Sequence, residues 1–151
     1  MRILFIAMFS VLAFANCQSQ KSEQSQEKEA AQTISAVEQG WDEIMAVHDE
    51  IMPISMKLPP IWEQMDSLKN TANDADATIM KASITTLQKV HKDMYDWMAD
   101  SRNIKSSLEG AKDEAELAKI IQKEKSRIEQ IKKETNEAFD KANELLKEKE
   151  N

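Results

Sequence analysis

The chain has 151 residues, 41% of them hydrophobic, 31% charged and 5% aromatic, with two Gly, three Pro, one Cys and a formal charge of −7. That length fits one small domain, and so few Gly and Pro leave too few tight turns for a sandwich or a barrel. The charged fraction excludes a multi-span membrane protein, the acidic balance without a basic patch argues against nucleic acid, and a lone cysteine excludes an intrachain disulfide or a multi-Cys zinc site. Long helices remain.

Met1-Arg2 gives a short positive start, residues 3–15 form an uncharged run of apolar and small side chains, and Asn16-Cys17 closes it. Such a run is too short for a permanent bilayer span and matches the central region of a secretory signal. Ending at the chain's one cysteine after Leu12-Ala13-Phe14-Ala15-Asn16, it resembles a bacterial lipoprotein signal, with Phe14 and Asn16 where Leu and Gly are usual. The resemblance covers residues 1–17 only. It implies a signal peptide at 1–16 and a mature N-terminus at Cys17, carrying a thioether-linked diacylglycerol and an amide-linked acyl chain. Several acyl chains, at ~0.8 kcal/mol per buried CH2, anchor a protein far more firmly than one. The competing reading is an ordinary secreted protein in which Cys17 has no such role.

Residues 17–32 then read as the lipidated cysteine and a flexible tether, because Gln18 to Gln32 contains no large apolar side chain. At ~15 residues its root-mean-square reach is on the order of 20 Å. Gln18, rather than Asp, after the cysteine fits delivery to the outer membrane. Removing residues 1–16 takes away Arg2 and no acid, so 19 basic residues face 27 acidic ones, a charge of −8.

The folded domain is expected over 33–151. Ile34, Val37, Trp41, Ile44, Met45, Val47, Ile51 and Met52 mostly keep the three-and-four spacing of one helix face, with His48 in the same stripe. Pro53 should kink or end this helix and Pro59-Pro60 must break it, after which Ile61, Trp62, Met65 and Leu68 mark a short helix. Asn70 to Asp76 is a polar turn with several N-cap candidates. Met80, Ile84, Leu87, His91, Met94 and Met98 step by four and three as a heptad seam, and Gly110 stops that helix. Asp113 with Glu116 forms an acidic variant of a capping box. Leu117, Ile121, Ile128, Ile131, Ala138, Ala142 and Leu145 continue a seam that Glu124 and Thr135 interrupt. Glu129 with Lys133 and Glu137 with Lys141 are favourably spaced pairs on a solvated face. The pattern predicts an all-α fold: an antiparallel three-helix bundle or helical hairpin with coiled-coil-like packing, its first helix kinked or broken at Pro53 and Pro59-Pro60. A hairpin that pairs with a second copy satisfies the same pattern.

All seven methionines after Cys17, all three tryptophans and both histidines lie between residues 41 and 98. His48 has Met45 and Met52 on its helix face, and His91 has Met94 and Met98. Two such faces meeting would make a soft, nearly uncharged pocket of two imidazoles and up to four thioethers, suited to Cu(I) over Zn(II), Mg(II) or Ca(II). A b-type haem with His/Met or bis-His ligation is a weaker alternative, and covalent haem is excluded without Cys-x-x-Cys-His. Ordinary core packing explains the same residues and is the favoured reading, since methionine fills irregular helical cores. Asp49 and Glu50 are expected to face solvent, although either acid is placed to orient an imidazole.

The segments Met45-Ala46-Val47-His48-Asp49-Glu50-Ile51-Met52-Pro53 and His91-Lys92-Asp93-Met94-Tyr95-Asp96-Trp97-Met98 resemble elements of a group of small lipoproteins from Bacteroidetes-type bacteria. The resemblance covers residues 38–105 and implies an envelope location, without supplying an activity. Catalysis is not expected: the sequence contains no Gly-rich phosphate loop, nucleophile elbow or HExxH. The expected function is therefore a non-enzymatic, membrane-anchored envelope lipoprotein acting as a helical interaction or structural module. Its partners would be the membrane through Cys17, and an envelope protein or a second copy. The alternative is a periplasm-facing lipoprotein that binds copper through Met45, His48, Met52, His91, Met94 and Met98. On the first reading, leucine at both histidines leaves the fold intact or improves it.

Overall fold

The computed structural model describes residues 19–150, with side chains described from 31 to 149. They form four helices: α1 (Ser19–Ser55), α2 (Leu58–Leu68), α3 (Asp74–Glu109) and α4 (Glu114–Glu150). The signal segment and Cys17 lie outside the described residues. Among those described there is no strand, and no helix is long and apolar enough to cross a membrane.

Two compact units divide the chain after Ser35. In the first, residues 19–35 are helical in backbone, where the sequence suggests a coil-like tether; Gln, Glu, Lys and Ala are all strong helix formers. The second unit, residues 36–151, contains the bundle.

Pro53 lies inside α1 without ending it. The amide hydrogen it lacks would have bonded to the Asp49 carbonyl, and both residues are exposed, so water can satisfy that oxygen. The break falls at Met56 and Lys57, between the proline sites. There the Lys57 amide tightens onto the Ile54 carbonyl at 2.9 Å. Pro59 and Pro60 then occupy the first turn of α2, where amide hydrogens have no helical partner to lose.

The next two helix starts are capped from the local sequence. Asn73 accepts the Asp76 amide at 3.0 Å through its side chain and donates to the Asp76 carboxylate at 2.9 Å. At α4, Asp113 accepts the Glu116 amide at 2.8 Å, as the acidic capping box requires, while the Glu116 carboxylate reaches one residue past the cap to accept the Lys112 amide at 2.9 Å rather than the Asp113 amide.

Ion pairs fix the helix directions. Lys125–Glu43 and Lys132–Glu50 each join residues 82 apart, so α1 and α4 run parallel. Between α3 and α4 the pairs Lys149–Asp76, Lys89–Glu134 and Arg127–Asp100 close progressively on the Gly110 turn, with separations of 73, 45 and 27 residues, so these helices are antiparallel. Three long helical arms thus pack up-down-up, the first being α1 followed by α2. Within α4, Lys133 pairs with Glu137 at 3.9 Å and Arg127 with Glu124 at 3.5 Å, rather than in either of the two pairings expected from spacing.

The core has two clusters. One joins Val37, Ile44, Val47 and Ile51 of α1 to Met94, Trp97, Ile104 and Leu108 of α3 and Leu117, Ile128 and Ile131 of α4. The other joins Leu58 and Met65 of α2 to Ile84, Leu87 and Val90 of α3 and Ala138, Ala142 and Leu146 of α4. Glu124 and Thr135 are buried at the seam positions expected of them. After Leu87, however, the α3 seam proceeds through Val90, Met94 and Trp97, so His91 and Met98 sit one position off it and are only partly buried. Gly40 marks the close approach of α1 to α4, where a Cβ would lie 2.3 Å from the Ile121 Cδ1.

Candidate functional site

The His/Met residues fall at successive levels along the α1–α3 contact. Antiparallel pairing places His48 against Trp97, with ring centroids 5.8 Å apart and planes inclined by 29°, and places Ser55 against His91. In that register Met52 and Met94 share a level, and Met98 shares the level of His48. The two histidines are therefore about two turns apart, or ~10 Å along the helix axes at 1.5 Å per residue. Met45, Met52 and Met98 are partly buried against the same cluster that contains Met94, which is fully buried. The thioethers are gathered, but the imidazoles are held in separate surroundings.

His48 is 15% exposed in its side chain, and its Nδ1 lies 2.8 Å from Asp49 Oδ1. A carboxylate can only accept, so Nδ1 carries the hydrogen, and in the neutral ring the lone pair is then on Nε2. Asp49 itself is 73% exposed. It faces solvent, as its helix position suggests, and also orients the imidazole. Glu50 instead pairs with Lys132 across the α1–α4 contact.

His91 sits between Trp62, edge-on at 5.3 Å, and Tyr95, tilted at 4.6 Å. Its Nδ1–H donates to the backbone carbonyl of Ser55 at 3.1 Å, with the Ser55 hydroxyl oxygen 3.3 Å away. Ser55 is the last residue of α1 and is fully buried. In a continued helix its carbonyl would accept the amide of residue 59, but residue 59 is proline and has none. The His91 side chain supplies that missing donor from the neighbouring helix. The spacing of residues within each helix did not reveal this role; the pairing of a buried helix end with a proline four residues later is the signal that could have.

Thr135 is fully buried with its hydroxyl unpartnered, and the parallel register sets it at the level of Pro53, beside the end of α1. The Trp97 indole nitrogen is likewise buried and unpartnered. Ser55, His91 and Thr135 thus form a polar layer between the two apolar clusters.

Among the described residues no group of three His, Cys, Asp or Glu side chains is arranged to hold a metal ion. A groove of about 630 Å³ opens between α3 and α4, lined in part by Ile79, Ala82, Ser83, Thr86, Val90 and Ala138, and none of the His/Met residues lines it. No family model, curated protein or solved structure matches the chain.

Proposed function

We propose that the protein is a non-enzymatic envelope lipoprotein, held on the outer membrane by acyl chains on Cys17 and presenting a helical bundle as an interaction or structural module. The observation that carries this reading is the position of the one cysteine. It ends an uncharged run that follows a basic start, and a polar tract follows it. The bundle suits such a role because its long helices carry charged outer faces, with Lys89, Glu134, Lys125 and Glu43 paired across helices at the surface. An envelope protein or a second copy of the chain is the partner class. The likeness to the Bacteroidetes-type lipoproteins on residues 38–105 supports the same location.

Cys17→Ser tests the anchor. Membrane fractionation should show the wild-type chain in the membrane pellet and the variant soluble or unprocessed. A variant that still appears as mature, lipidated protein in the membrane fraction would refute the assignment.

A further inference from the structure

We propose that His48 is the only imidazole of a thioether-rich Cu(I) site, formed with Met45 and Met52 of α1 and Met98 of α3. This goes beyond the anchored-module reading and does not depend on it. Four features meet at His48. The Asp49 carboxylate holds Nδ1–H and leaves Nε2 as the ligand atom, the arrangement by which proteins orient metal-binding histidines. Met45 and Met52, three residues before and four after, share its helix face, and Met98 lies at its level on α3. All three thioethers are partly buried against one cluster, so they are sheltered without being sealed in the core. The Trp97 indole stacked on the imidazole covers one face of the ring and helps to fix its orientation.

The donor set decides the metal. One neutral nitrogen with thioether sulfurs is soft and uncharged, which favours Cu(I) over Zn(II) or the oxygen-seeking cations. The exposed Asp49 carboxylate supplies a single balancing negative charge. His91 has no part in this site: its Nδ1–H completes the hydrogen bonding of α1, and its level on α1 is occupied by Ile54 and Ser55 rather than by a methionine. Met94 is fully buried in the seam and belongs to the packing.

The test is an anaerobic titration of the detergent-solubilised full chain with Cu(I) against a competing chelator. One equivalent should bind. His48→Gln should weaken binding by more than about tenfold, the scale on which even loss of a supporting contact lowers metal affinity. The triple change Met45→Leu, Met52→Leu, Met98→Leu preserves volume and should weaken it similarly, with helicity by circular dichroism unchanged. His91→Gln should leave affinity unaltered. No binding by the wild type, unchanged affinity in His48→Gln or the triple variant, or an equal loss in His91→Gln would each overturn the assignment. The Cys17→Ser chain should bind Cu(I) as the wild type does, which separates failure of this site from failure of the lipid anchor.

Discussion

The two core clusters solve the same packing problem with different materials. Around α1, large side chains meet from all three helices, with Trp97 and Met94 facing Ile44, Ile51, Ile128 and Ile131. Around α2, two of the three buried α4 positions are Ala138 and Ala142, with Leu146 the third, and the small pair admits the bulk of Leu58, Met65 and the half-buried Trp62. A single uninterrupted first helix would face α4 with one continuous surface. Breaking it at Met56–Lys57 lets the two segments meet α3 and α4 independently, and the polar layer of Ser55, His91 and Thr135 lies at the change. The lesson is that the prolines do more than stop a helix. Pro59 removes one amide, and the sequence 32 residues later supplies a substitute from another helix.

Substitutions at Trp97, Trp62 and the two histidines probe that contrast. The largest effect is expected from Trp97→Ala, which empties the cluster around α1 and should cost ~3–5 kcal/mol in chemical denaturation. Trp62→Ala should cost clearly less, because that ring is only half-buried; equal costs would remove the distinction between the clusters. Next, His91→Leu should lose ~1–3 kcal/mol by leaving the buried Ser55 carbonyl without a donor. His91→Gln keeps a donor and should lose less. The structure therefore changes the expectation that leucine at both histidines is harmless: His48→Leu remains mild, whereas His91→Leu does not, and equal stability of the two variants would argue against the capping role.

The smallest effect concerns acid. The hydrogen bond from Lys149 holds the Asp76 carboxyl below its ordinary range, with further help from Asn73. A folded-state pKa below the unfolded one means the contribution is present above about pH 4 and is lost as pH falls through the folded value. Melting temperature should thus fall on acidification, and Asp76→Asn should flatten that fall slightly. An unchanged acid profile in the variant would show that the pair contributes nothing.

Much of this fold is readable from spacing. The helix count, a capped start within Asn70 to Asp76, the Asp113–Glu116 start, the stop at Gly110 and the polar seam positions Glu124 and Thr135 all follow from local chemistry, because caps and heptads act over a few residues. Which of the candidates in that turn becomes the cap, Asn73, is settled by the structure. The choice between Val90 and His91, or between Trp97 and Met98, does not follow from local chemistry either. Steps of three and four both suit a helix, and only the facing helices decide which one enters the seam. Gly40 is silent in the sequence for a related reason: its meaning is the nearby Ile121, which lies on another helix. The candidate site was half apparent. Thioether and imidazole faces could be counted, but the ~10 Å offset between the histidines depends on register, which no single helix contains.

That offset is the claim on which both the copper assignment and the structural role of His91 rest, and ring contacts measure it directly. Nuclear Overhauser effects from the two histidine rings should connect His48 to Trp97 and His91 to Trp62 and Tyr95, with none between the imidazoles. Direct contacts between the His48 and His91 rings, or loss of the His48–Trp97 contact, would contradict the account.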